Sequence, residues 1–91
     1  MERTLITVPN AISMVAVVGP HDDNLRVIEA AFPSVNITVR GNEITLRGPH
    51  IDCARLENLF NEMMVVIRGG NILNVDAVNR AIEMLEHEPV D

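Results

Sequence analysis

Val17–Gly48, VVGPHDDNLRVIEAAFPSVNITVRGNEITLRG, decides how the chain is read. It holds the end of an apolar run, a tight loop, one amphipathic helix and a two-stranded hairpin. The hairpin has the cleanest pattern. From Val35 to Arg40 and from Glu43 to Arg47, apolar and polar residues alternate strictly, the period of a strand with one buried face. Val35, Ile37, Val39, Ile44 and Leu46 fall on one side. Asn36, Thr38, Arg40, Glu43, Thr45 and Arg47 fall on the other. Gly41-Asn42 is a two-residue connection of the composition that primed hairpin turns favour. It sets Arg40 opposite Glu43, Val39 opposite Ile44, Thr38 opposite Thr45 and Ile37 opposite Leu46.

Working outward, His21-Asp22-Asp23 reads as a helix start. Either carboxylate can accept a hydrogen bond from a free amide, and both suit the positive end of the helix dipole. Leu25, Ile28 and Phe32 follow as one apolar stripe with Ala31 beside it, flanked by Arg26 and Glu29 and stopped by Pro33. Upstream, Ile12–Val18 (ISMVAVV) is uncharged and Val-rich, and reads as a strand buried on both faces, ended by Gly19-Pro20. Thr4–Val8 reads as a short strand stopped by Pro9-Asn10. Downstream, Pro49 opens the longest helix, whose stripe is Leu56, Leu59, Phe60, Met63, Val66 and Ile67, and Gly69-Gly70 ends it. Asn74 caps a last helix with Val75, Val78, Ile82 and Leu85 on one face. The expected order is β-β-α-β-β-α-α. The fold class is α+β, a two-layer sandwich in which an antiparallel or mixed sheet of three to four strands is covered by three helices.

Composition narrows the function. Ninety-one residues make one domain near the lower size limit for folding on a core alone. The core is aliphatic, since there are two Phe and no Trp or Tyr; little is left for stacking on bases. Seven basic residues, all Arg, stand against thirteen acids for a net charge of −6, which counts against a domain built mainly to hold phosphate backbone. One cysteine, Cys53, excludes an internal disulfide. No signal pattern precedes the first strand, and the longest uncharged run carries Pro9, Gly19 and Pro20. The expectation is a soluble cytoplasmic chain with no membrane partner.

The chemistry-bearing residues assemble into no known motif. No Gly-rich phosphate loop is present. His21 with Asp22 and Asp23 is more simply a cap than a metal cluster. Glu83 and His87 read as a solvated i, i+4 pair. His50, Asp52 and Cys53 share a helical turn but point apart, and Met63-Met64 fills core or interface. No catalytic, cofactor or metal residue is assigned. The directional surface is the polar hairpin face, with Arg26, Arg40 and Arg47 as the candidate contacts for RNA or another subunit.

One resemblance adds to this. Gly19, Pro20, Asp22, Asn24, Leu25, Arg26, Ile28 and Glu29, then Arg40, Gly41, Asn42, Ile44 and Gly48, resemble the start of PhoH-like proteins, the phosphate-starvation-inducible ATPase family. Weaker agreement continues through Gly69-Gly70 and the Val78–Met84 helix. In that family the region precedes a P-loop ATPase domain, where ATP and Mg bind. The resemblance implies that residues 1–88 are a non-catalytic N-terminal accessory domain and that 89–91 begin a linker to that ATPase domain. Its implied partners are that domain and further copies in a homo-oligomer. The element order also resembles a KH-like RNA-binding module, in which a G-x-x-G loop lets a nucleic-acid backbone approach a helix start. The equivalent place here is Gly19-Pro20-His21-Asp22, where Pro20 removes an amide and Asp22 and Asp23 repel phosphate. Docking or assembly is therefore the expected role, and a divergent RNA-binding accessory module is the alternative.

Overall fold

The computed structural model describes residues 2–87; the linker expected at 89–91 lies outside the described residues. Strands β1 (Glu2–Thr7), β2 (Asn36–Arg40) and β3 (Glu43–Gly48) form one antiparallel sheet in the order β1-β3-β2. Helices α1 (Met14–Val18), α2 (Asp23–Ala31), α3 (His50–Arg68) and α4 (Val75–His87) complete the chain, with a 3-10 turn at Pro20–Asp22. The hairpin register is as the alternation predicts, with Arg40, Val39, Thr38 and Ile37 facing Glu43, Ile44, Thr45 and Leu46. Gly41 takes a positive φ of 58° and Asn42 does not, as expected of a primed turn with glycine first.

The apolar side of this sheet is the floor of the core. Ile44 and Leu46 on the central strand have no exposed surface, because neighbours on both sides close their flanks. Ile6 and Ile37 extend the floor onto the outer strands. Above it lie Ile28 and Phe32 from the α2 region, Leu56, Leu59, Phe60 and Met63 from α3, and Val78, Ile82 and Leu85 from α4. These are the positions that helical periodicity assigns to the core. Val66 departs from it: it remains 38% exposed at the end of α3, while Cys53 one turn earlier than Leu56 is fully buried.

Ile12–Val18 is not a strand. Residues 14–18 form a short helix that buries Val17 and Val18 and leaves Val15 facing outward. An apolar run of this length does not distinguish strand from helix by periodicity. Tertiary context decides it: β3 already has a partner on each side, and the run packs against α2 and α3 instead. The observed order is therefore β-α-α-β-β-α-α, with three strands.

The loop after α1 is the most constrained backbone in the chain. Gly19, His21 and Asp22 all have positive φ, at 84°, 57° and 60°. Asp22 precedes α2 in a left-handed conformation and makes no side-chain cap hydrogen bond. The expected carboxylate cap is absent because an N-cap side chain reaches its amide from extended backbone. Asn24 holds this region instead. It is 1% exposed, and its Nδ2 donates to the carbonyls of Val17 at 3.3 Å and Leu73 at 3.2 Å. One amide thus joins α1, α2 and the segment before α4. A Cβ on Gly19 would stand 3.0 Å from the Asn24 backbone nitrogen, so glycine is required by space as well as by φ. At the far end Asn74 caps α4 as its sequence position predicts, accepting from the Ala77 amide at 2.9 Å.

Two substitutions separate these effects in urea unfolding. Asn24→Ala leaves two buried carbonyls without their donor and is expected to cost about 2–4 kcal/mol. His21→Gly removes the penalty of a left-handed side-chain-bearing residue and is expected to stabilise by about 1 kcal/mol. An unchanged midpoint for Asn24→Ala would contradict its tying role.

Candidate interaction surface on the open sheet face

Alternation along each strand sends every second side chain away from the helices. The pairing of β1 with β3 then adds a third strand to the polar hairpin face. Three cross-strand rows result. Arg3, Arg47 and Asn36 form one, Leu5, Thr45 and Thr38 the next, and Thr7, Glu43 and Arg40 the last. A shallow depression of about 310 Å³ spans these rows, lined among others by Arg3, Arg40, Arg47, Leu5 and Glu43. A second of about 440 Å³ adjoins it and shares Asn36 and Arg47, with Pro33 and Ser34 on its other side.

The electrostatics of this face run against those of the chain. It carries three arginines and one glutamate on a protein whose net charge is −6. Among the described residues the contact at salt-bridge distance is between Glu2 and the His50 ring, at 2.8 Å, and none of the three arginines makes one. Arg40 faces Glu43 in register without reaching salt-bridge distance. Arg3 lies directly opposite Arg47, and like charges so placed destabilise a sheet. Two arginines at paired strand positions, neither in an ion pair among the described residues, offer planar donor forks suited to carboxylate or phosphate oxygens.

The sequence-derived candidates divide accordingly. Arg40 and Arg47 share this face, whereas Arg26 is exposed on α2 in the helical layer and does not line it. Arg3 and Leu5 take the third place. The signal for them was the continuation of strand alternation to the second residue of the chain, together with a pairing of β1 to β3 that local pattern does not encode. Leu5 is 52% exposed in the middle row, an apolar centre among polar neighbours.

The remaining candidates do not converge. His50 bonds Glu2 through Nδ1, and Cys53 is buried with its thiol 3.9 Å from the Glu2 carbonyl, so no Cys–His pair forms. Burial is the main cause that pushes the Cys53 thiol up from its ordinary value, with the Glu2 and Asp52 charges adding to it. Among the described residues no group of three or more His, Cys, Asp or Glu side chains is placed to hold a metal ion. No described helix is long and apolar enough to cross a membrane. An apolar groove of about 240 Å³ lies between α1 and the α3–α4 loop, lined by Val15, Ala16, Pro20, Ile72 and Leu73.

What fold and surface define is an α+β two-layer domain whose distinctive feature is an arginine-bearing open sheet. By sequence the chain is similar to PhoH-like proteins: it is 34% identical over 83 residues to those of Mycobacterium bovis and of two Mycobacterium tuberculosis strains. The match takes in 91% of this chain but spans only 23% of each relative. No protein-family model matches the chain, and no solved structure matches it either.

Cys53 supplies a check on the packing of the core. The native thiol is expected to resist a thiol reagent that labels the urea-unfolded chain at once. Because burial raises its pKa, its contribution to stability is intact at neutral pH and is lost as pH climbs past the ordinary thiol range. Rapid labelling of the folded protein would contradict the burial.

Proposed function

We propose that this domain is a non-catalytic N-terminal part of a PhoH-like ATPase, and that it acts by docking onto the ATPase domain or onto neighbouring subunits. The observation that carries this reading is the disproportion of the match, which takes in nearly all of this chain and less than a quarter of each relative. ATP and Mg belong, on this reading, to the remaining three quarters. The chain's own side chains agree with it. Val15, Val65 and Ile72 are 62%, 67% and 91% exposed, apolar surface of the kind that docking covers.

RNA binding is the second reading, favoured by the unpaired arginines of the open sheet. The KH-like route to it is poorly served. At the start of α2 the Asp22 amide is already bonded to the Gly19 carbonyl at 3.1 Å, Pro20 has no amide, and Asp22 and Asp23 are exposed beside it. An RNA contact would instead use Arg40 and Arg47.

The test is deletion of the matched segment from an intact PhoH-like relative, followed by sedimentation and by measurement of ATP turnover. Turnover is expected to persist in the truncated protein while its assembly shifts to smaller species. Unchanged assembly would overturn the docking reading. Titration with labelled single-stranded RNA at low and physiological salt accompanies it. Binding that survives physiological salt and is lost in the Arg40→Ala/Arg47→Ala variant would favour RNA instead.

A further inference from the structure

Charge is segregated between the two layers of this molecule. The open sheet face holds a surplus of two positive charges, three arginines against one glutamate, so the rest of the chain must carry −8 to give the net charge of −6. Much of that negative charge lies across the helical layer. The hydrogen bond from Asn24 to the Leu73 carbonyl brings the starts of α2 and α4 together, and α2 and α4 pack along each other. Asp22 just before α2, Asp23 and Glu29 on α2, and Asp76 and Glu83 on α4 are all exposed, against Arg26 and Arg80.

We infer that the open sheet face is a docking surface for the acidic α2–α4 surface of a second copy of this chain, joined head to tail. This rests on the docking reading above and specifies its face, partner and orientation. Two copies of net charge −6 repel in most orientations. The sheet-to-helix orientation is the one in which a positive face meets a negative one, so charge selects it. Arg3 and Arg47, at paired strand positions and in no ion pair among the described residues, gain partners there, and exposed Leu5 lies between the arginine rows to be covered.

The contact is heterologous, because each copy offers two different surfaces, and it therefore propagates to rings or filaments rather than closing as a two-fold dimer. It is also small. Three strands of five or six residues cover on the order of 10 Å by 17 Å, less than the roughly 800 Å² per partner of a stable complex. The isolated chain should thus associate weakly and reversibly, with the contact becoming effective where copies are already held close.

Sedimentation of the 91-residue chain from micromolar to millimolar concentration, at low and at high salt, tests this. Reversible association at low salt that disappears at high salt is expected. Arg3→Glu/Arg47→Glu should weaken it by roughly tenfold or more, and so should Asp23→Arg/Asp76→Arg. All four positions are exposed, and circular dichroism checks that each variant is folded. Mixing the two variants should restore association, because a negative sheet face then meets a positive helical face. A monomer at every concentration in low salt would overturn the proposal, as would association untouched by either reversal. It would also fall if the arginine variant lost RNA binding while self-association was unaltered. The deletion experiment fails separately. Loss of assembly on deletion with no effect of charge reversal leaves docking standing on another face, whereas charge-dependent association with no effect of deletion removes the docking role and keeps the surface.

Discussion

The structure depends on a hairpin with only one apolar face. Ile44 and Leu46 on its second strand have no exposed surface, and each such side chain contributes about 2–3 kcal/mol when buried. A lone hairpin cannot supply that burial, since two strands are too narrow to shield their own apolar side. The chain meets this demand from both ends. β1 closes the open flank of β3, and three helices cover the apolar floor. Everything polar on the hairpin is then turned outward together, and so the same alternation that builds the core also builds the open sheet face.

The helical cover is held in place by one polar side chain. Asn24 donates to Val17, seven positions before it, and to Leu73, forty-nine positions after it. A buried amide is costly unless it is satisfied, and once satisfied it specifies one arrangement of its partners. Around it the backbone is tight, with Gly19, His21 and Asp22 at positive φ. Strain of this kind persists where the surroundings over-determine it. Gly19, Asp22 and Asn24 are also among the residues that carry the PhoH-like pattern, and the packing gives Gly19 and Asn24 a structural reason to be there: one leaves room for the other.

Two layers with opposite faces give the domain direction. Among the described residues the arginines of the sheet stand without ion-pair partners, and the exposed carboxylates lie largely on the helices. A surface divided in this way orients encounters even when it adds little affinity. That suits a part acting within a larger protein, where effective concentration does much of what interface area does elsewhere. The apolar groove beside Ile72 adds a second exposed surface, at the end of the molecule where α1 meets the α3–α4 loop.

Local pattern determined the hairpin and its register, the stripes of α2, α3 and α4, and the Asn74 cap. Each of these depends on neighbours within one or two turns or across a two-residue loop, so the information is contiguous. Arg40 and Arg47 were legible as face-sharing residues for the same reason. The sequence did not determine the state of Ile12–Val18, the pairing of β1 with β3, or the place of Arg26. A seven-residue apolar run is compatible with strand or helix, and only the occupied edges of β3 exclude it from the sheet. Arg3 joined the open face, and Arg26 was left off it, through contacts spanning more than forty residues. Such contacts leave no periodic trace. They are selected by the summed burial of the whole core, which exists only once the chain has folded.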